Sequence, residues 1–436
     1  MSHYVLVGSG AAALAAAEEL RRGEPAARIT VIGQESAGFY SRPGLAYLLT
    51  GAVPESQLEL RTRGELTALR LERITDRATL IRTAAQRVVL SGGREIGYDR
   101  LLLATGARSL APDFPGATLE GVFRLDRLDQ AMGLVRAARR RRRAVVVGGG
   151  STALELVDGL RARGVETHYF LRGERYWART LAPEESALVE ARLSAGGVRL
   201  HRRTSVARAV GRGGRLTAVE TAEGRLIPCD ILCVATGIAP RIELAQASGL
   251  ATDRGILVNA HLETSEPAIF AAGDVAQVRD RPDSPGVLDA LWSSALAQGS
   301  IAASNMRGQR VTWRRQVPMN VTCLGGLVTT VMGDVGGEAD PDLVTITRGQ
   351  SERWHLGRGA TTVAENATGG RIRLVLSDRM ITGAVIMGEQ TLAEPVRRLI
   401  GSGADIGPIR QALIDDPAHL TATLLAFAET HGGRAA

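Results

Sequence analysis

YVLVGSGAAALAAAEELRRG, from Tyr4 to Gly23, decides the fold. Four apolar residues, a turn at Gly8-Ser9-Gly10 and an alanine-rich stretch with helical spacing read as a buried strand, a glycine turn and a long helix. ARITVIG (Ala27–Gly33) supplies a second strand and completes a βαβ unit. The pattern returns in AVVVGGGSTALELVDGLRARG (Ala144–Gly164), followed by VETHYFLRG (Val165–Gly173). YDRLLLATGA (Tyr98–Ala107) is likewise answered by CDILCVATGI (Cys229–Ile238), both of them apolar strands ending in a Thr-Gly turn.

Two such units imply two parallel, doubly wound sheets. AIFAAGDV (Ala268–Val275) reads as a last strand with no counterpart in the echo, so the second copy is expected to be inserted into the first. The expected fold is α/β: two Rossmann-like domains, one formed by 1–115 and 235–310 and the other by 116–234. After Gly308 the composition shifts to short β-rich runs with glycine turns, GLVTTVMGDVG, DLVTITRG and RIRLVLSDRMITGAVIMG. Helical patterns follow at Leu392–Ile400 and Ile409–Glu429. This predicts a C-terminal α+β domain over 311–436, serving as a dimer interface or a partner-docking surface.

Gly8-Ser9-Gly10-Ala11-Ala12-Ala13 is a GxGxxA turn. Gly8 permits the tight turn, Gly10 lets a pyrophosphate approach the backbone, and Ala13 permits close helix–strand packing beneath a helix N-terminus rich in free N–H groups. Glu35, just past the second strand, is the candidate for the ribose hydroxyls. In the second unit Gly148, Gly150 and Ser151 repeat the device, with Glu155 on the helix's first turn. An NAD-binding unit usually places a carboxylate at the end of its second strand, but here Leu171 stands there, followed by Arg172, Arg175 and Arg179. Guanidinium groups in that place favour a ribose 2′-phosphate, hence NADPH over NADH. The alternative is that they are ordinary surface arginines in an arginine-rich chain.

The 436 residues contain no lysine, so all 53 basic groups are arginine and lysine chemistry is excluded. The arginines are interspersed with 46 acids, and Arg139–Arg143 is the one run. It precedes a strand, at the edge away from the ligand-binding end, and reads as a solvated segment rather than a nucleic-acid site. Cys229, Cys233 and Cys323 are too few for a disulfide framework, and the first two, about 13 Å apart by strand rise on one strand face, are too distant to bridge. With no charged-then-apolar leader before the first strand and no apolar run of bilayer length, the expectation is a soluble, cytoplasmic protein without membrane contact. His3, His168 and His201 fall in strand-like runs and read as structural, and no metal site is expected.

Together GSGAAA, the ATG turns at Ala104–Gly106 and Ala235–Gly237, GGGSTALE and FAAGDVA (Phe270–Ala276) resemble the two-dinucleotide flavoproteins. These are the pyridine nucleotide–disulfide oxidoreductases, the rubredoxin and ferredoxin reductases, the NAD(P)H oxidases and the flavin portion of assimilatory nitrite reductase. The resemblance spans about 310 residues, and GAVIMGEQTLAEPVRRLIGSGADI (Gly383–Ile406) is most similar to the third domain of the rubredoxin and nitrite reductase members. It implies FAD in the first domain, held by Gly8, Gly10, Ala13, Glu35, Thr105 and Gly106. Gly273 and Asp274 would hold the ribityl region, and the helix beginning at Trp292 would lie against the isoalloxazine. NADPH or NADH would occupy the second domain at Gly148, Gly150, Ser151, Glu155, Arg172, Arg179 and Gly237, with Glu155 near the nicotinamide. Ser151 stands where many relatives carry a bulky residue, which would leave the nicotinamide's approach open.

GFYSRPGLAYLLTG (Gly38–Gly51) departs from the disulfide-reducing members, because Pro43 stands where their cysteine precedes Gly-Leu-x-Tyr. Arg42-Pro43 resembles the ferredoxin and rubredoxin reductases and would shape the wall beside the flavin, although Tyr47 occupies a position where these often have lysine. The resemblance implies hydride transfer from NADPH C4 to FAD N5 across rings stacked at roughly 3–3.5 Å. Electrons then leave for an external acceptor, a small iron–sulfur or rubredoxin-like protein, dioxygen or a quinone-like molecule. No catalytic side chain is required for this, although Glu155 and Tyr47 are candidates near the rings. Alternatives are an NAD(P)H oxidase and a non-catalytic redox sensor. A monomer and a homodimer are both compatible with the sequence.

Overall fold

A computed structural model describes residues 1–140, 142–281, 283–335, 361–365 and 370–431. Two five-stranded parallel sheets dominate it. In the first the strand order is Ile269–Ala271, Arg100–Leu103, His3–Val7, Arg28–Gly33 and Glu72–Thr75. In the second it is Arg199–His201, Glu166–Phe170, Arg143–Val147, Ile231–Val234 and Val122–Phe123. Leu101–Leu103 and Ala144–Val146 are wholly buried. Strands covered on both faces have no polar side to show, so their sequences are continuous apolar runs.

The echo extends further than the sequence indicates. Each copy makes a three-stranded antiparallel excursion, 78–97 in the first and 206–228 in the second, just before the strand that ends in Ala-Thr-Gly. The edge filled by Ile269–Ala271 in the first sheet does have a counterpart, the short strand Val122–Phe123. Sequence reading overlooks it because it precedes its sheet in the chain and is two residues long. Where the chain passes between the domains, Ala107–Ser109 pairs antiparallel with Ile238–Pro240, tying the two crossings into one ribbon.

In the first domain, the helix Ala11–Gly23 packs against Trp292–Met306. The approach is so close that a Cβ on Gly299 would lie 2.2 Å from the Ala12 carbonyl oxygen. A short helix, Gly44–Thr50, leaves that domain to pack on the nucleotide-domain helix Ser151–Ala162. There Leu49 fits over Gly159, and Arg163 donates to the Leu48 and Leu49 carbonyls.

The C-terminal unit is an antiparallel sheet in the order Met319–Leu324, Leu327–Gly333, Ile381–Met387, Arg371–Leu376, Thr361–Glu365. One face buries Met332, Leu374 and Ile386 against Leu399, Leu424 and Phe427 of its own helices. The other places Leu324, Leu327, Val385 and Met387 in a core shared with Leu154 and Val189 of the nucleotide domain. One face of the domain that the sequence offers as a dimer interface or partner-docking surface is thus occupied within the chain. The helical pattern at Ile409–Glu429 is really two helices, Gly407–Asp415 and Leu420–His431, separated at Pro417, whose missing N–H and fixed ring break the ladder. The run DLVTITRG lies outside the described residues.

Candidate functional site

The two glycine turns are built alike. Gly8 has φ +125° and Gly148 φ +146°, a region side chains rarely enter. A Cβ there would lie 2.0 Å from the Ala104 oxygen in one case and 2.2 Å from the Ala235 oxygen in the other. These first glycines therefore let the Ala-Thr-Gly strand pass beneath the turn. Gly10 and Gly150, the residues before each helix, differ: a Cβ on either meets nothing within 4 Å, and neither helix start carries a side-chain cap. Uncapped N–H groups over open space form a cradle for an anion. Ala13, wholly buried, faces the sheet. Gly106 and Gly237 also hold positive φ, while Thr105 turns its hydroxyl to the Arg241 carbonyl in the crossing ribbon at 3.0 Å.

Glu35 and Arg42, which sequence reading assigns to opposite ends of a dinucleotide, meet. Arg42 Nη2 donates to Glu35 Oε1 at 2.6 Å, and the Tyr40 hydroxyl donates to Oε2 at 2.6 Å. Arg42 also donates to the Asp126 carbonyl at 2.6 Å. Burial opposes its charge, but Tyr40, Glu35 and Asp274 more than offset this and its pKa is raised. Pro43, exposed, begins the short helix, and Tyr47 stands 44% exposed on its outer side.

Asp274 follows Gly273, whose N–H donates to buried Gln298 Oε1 at 2.8 Å. Burial pushes the Asp274 carboxyl up to about 6; Arg42 pulls it down and Asp289 pushes it up. Gln298 Nε2 and Asp289 Oδ1 are buried without a hydrogen-bond partner in the protein, both in the region where Trp292 opens its helix. Orphaned buried groups beside an open phosphate cradle fit a polar ligand such as FAD. Nothing in the sequence singles out Tyr40, Asp289 or Gln298, whose relevance comes from packing alone.

In the second unit Ser151 is half-buried at the first helical position, and Glu155 one turn on accepts from the Thr322 hydroxyl at 3.1 Å. Burial raises the Glu155 pKa, Thr322 lowers it and Asp158 raises it. Leu171 is buried at the strand end, Arg172 is exposed and Arg179 half-buried. Arg175 is structural, bonding the Ala178 and Leu181 carbonyls of its own loop. Glu174, a nearby carboxylate, pairs with Arg203.

The cysteine reading needs one correction. Cys229 and Cys233 do not share a strand face, because Cys229 precedes the strand Ile231–Val234 and lies in a different core cluster from Cys233. Burial pushes the Cys229 thiol up to about 12 and that of Cys233 higher, so both are inert hydrophobes. Cys323 projects from the C-terminal sheet near Asp158, its pKa raised by burial and that carboxylate. Among the described residues no cluster could hold a metal, and no helix is long and apolar enough to cross a membrane. Arg139, Arg140, Arg142 and Arg143 are solvent-exposed before and at the N-terminal end of the second sheet's central strand, Arg143–Val147.

Comparison with known proteins agrees with this geometry. A family model described as pyridine nucleotide-disulphide oxidoreductase matches residues 2–299. The biphenyl dioxygenase system ferredoxin–NAD(+) reductase component of Paraburkholderia xenovorans is 33% identical over 336 residues, covering 77% of this chain and 82% of the relative. An NADH oxidase of Methanocaldococcus jannaschii is 27% identical over 406 residues, 90% of this chain and 89% of its own. The crystal structure of the ferredoxin reductase for the CYP199A2 system from Rhodopseudomonas palustris superposes with a TM-score of 0.84 at 26% identity, covering 98% of this chain and 100% of that one.

Proposed function

This chain belongs to the pyridine nucleotide-disulphide oxidoreductase family and is an FAD-dependent NAD(P)H oxidoreductase that passes electrons to an acceptor; from that premise we propose that its acceptor is a small iron–sulfur or rubredoxin-like carrier protein and its preferred donor NADPH. The observation that carries the first point is Pro43. It starts the helix Gly44–Thr50 where disulfide-reducing relatives place a thiol, and the three cysteines of the chain lie elsewhere, two of them in the nucleotide-domain core. With no local thiol to take them, electrons must leave the protein. The similarity to a ferredoxin–NAD(+) reductase supports a carrier as recipient.

Bound in the first domain, FAD would accept hydride from a nicotinamide and release the electrons onward. The residues' own tasks are binding and alignment. Gly8 lets the Ala-Thr-Gly strand pass beneath the turn and Gly10 admits the pyrophosphate to the helix N-terminus, Glu35 and Arg42 act as a joined pair at the adenylate side, and Asp274 with Gly273 holds the ribityl region. Thr105, Gly106 and Trp292 complete the walls. Gly148, Gly150, Ser151 and Gly237 seat the second dinucleotide with Glu155 beside the nicotinamide. NADPH is favoured because Arg172 and Arg179 follow a buried Leu171 where a carboxylate would repel a 2′-phosphate.

Anaerobic rapid mixing of the FAD-loaded protein with NADPH and with NADH, followed by carrier proteins, dioxygen and disulfides, tests both points. Flavin bleaching should be faster with NADPH and Arg172→Ala should erase the difference; equal or faster bleaching by NADH in the parent rejects the donor assignment. Reoxidation fastest with dioxygen would favour the second reading, an oxidase, which the similarity to the archaeal NADH oxidase supports.

A further inference from the structure

Side-chain contacts bolt the C-terminal domain to the nucleotide domain at several places. Arg373, 7% exposed, grips wholly buried Glu185 through two contacts at 2.8 and 3.2 Å. Arg192 Nε donates to the Gly325 carbonyl at 2.9 Å. The third is Thr322, 5% exposed on the strand Met319–Leu324, whose hydroxyl donates to Glu155. The first two fix the C-terminal sheet against one helix, Pro183–Ala195, so the third, to the neighbouring helix Ser151–Ala162, is made with little freedom left to lose.

Glu155 needs such a partner. Asp158 stands one turn along the same helix, itself raised by burial and tempered by Arg161. Tyr169 and Tyr176 lie beneath with hydroxyls buried and unpartnered, Tyr176 within the field of both Glu155 and Asp158. On the C-terminal side Cys323 faces Asp158, Arg161 and Arg192. The helix Gly44–Thr50 contributes Tyr47 as its one titratable side chain. The influences on Glu155 itself are thus burial, the Thr322 hydroxyl and the Asp158 carboxylate, of which only the hydroxyl favours the ionised carboxylate and fixes one of its oxygens.

We propose that Thr322 is a positioning residue: reaching across from the C-terminal domain, it orients Glu155 and fixes one of its carboxylate oxygens at the nicotinamide end of the second dinucleotide site. This rests on the placement of Glu155 given above. It makes the C-terminal domain a working part of the hydride-accepting pocket, and ties the setting of that pocket to the fit between the two domains.

The test uses the FAD-loaded full chain and follows the limiting rate of flavin bleaching and the nucleotide dissociation constant, anaerobically, across pH 5–10. Thr322→Val keeps shape and removes the donor, Thr322→Ser restores it, and Glu155→Gln identifies which limb of the profile belongs to Glu155. The limb lost in Glu155→Gln should move to higher pH by about one unit in Thr322→Val, a tenfold change in the ratio of ionised to protonated carboxyl. It should return in Thr322→Ser. A Thr322→Val profile superposing on the parent while Glu155→Gln differs overturns the proposal. A Glu155→Gln profile identical to the parent overturns it at its root, by removing Glu155 from the nicotinamide. Absence of bleaching by either nucleotide in the parent would instead reject the functional reading beneath it.

Discussion

The Arg42 guanidinium lies 2.6 Å from the Glu35 carboxylate, joining the loop after the second strand to the start of the short helix. The pair, with Tyr40 on the other carboxylate oxygen, leaves a positive charge near Asp274. Arg42→Ala therefore removes the counter-charge of two carboxylates together. FAD affinity should fall by roughly tenfold or more, given the strength of hydrogen bonds to charged groups. Equilibrium release of flavin fluorescence measures it, and unchanged retention would separate the pair from the cofactor.

Asp274 makes stability pH-dependent. Its carboxyl, raised from 3.8 to about 6, binds more protons in the folded than in the unfolded chain between those values. Its cost to stability is therefore absent below pH about 4 and complete above about 6. In the FAD-free protein, Asp274→Asn should gain up to about 3 kcal/mol at pH 7.5 and almost nothing at pH 4. Urea titrations at the two pH values decide this, while the same variant should retain FAD poorly.

The glycines of each turn should separate folding from binding. Gly8→Ala forces a Cβ to 2.0 Å from Ala104 at positive φ, and should cost about 1–3 kcal/mol or more, seen as a lower Tm. Gly150→Ala has open space and φ −109°, so stability should hold while the nucleotide KM rises about tenfold by obstruction of the phosphate cradle. A Gly150→Ala variant with parental KM would move the phosphates elsewhere.

Arg373→Met leaves buried Glu185 with the Ala182 N–H at 2.8 Å and the more distant Arg371 guanidinium at 3.8 Å. Loss of one partner of a buried pair costs about 3–5 kcal/mol, and the double variant Arg373→Met with Glu185→Gln should recover a large part of it. Guanidinium unfolding of the three proteins tests the coupling. Little loss in the single variant would show that the domains are held chiefly by Leu324, Leu327, Val385 and Met387.

The duplicated glycine turns, their strands and the inserted order were legible in the sequence because each is a local constraint: an apolar run must be buried, and Gly8 and Gly148 serve where a Cβ would strike the backbone. Pro43 in place of a cysteine was legible for the same reason, as a residue type that forbids a reaction. The strand Val122–Phe123 was not, being two residues long, and neither were the antiparallel excursions, whose strands are only partly buried, so that no period stands out. Tertiary structure alone decided the contacts between residues far apart in the chain, Thr322 with Glu155 at a separation of 167 and Arg373 with Glu185 at 188. It likewise decided that Arg42 turns to Glu35 and that the C-terminal sheet spends one face on the nucleotide domain. A side chain's type and spacing state what it is able to do, whereas its partner depends on which surfaces the closed fold brings within hydrogen-bond reach and shields from water.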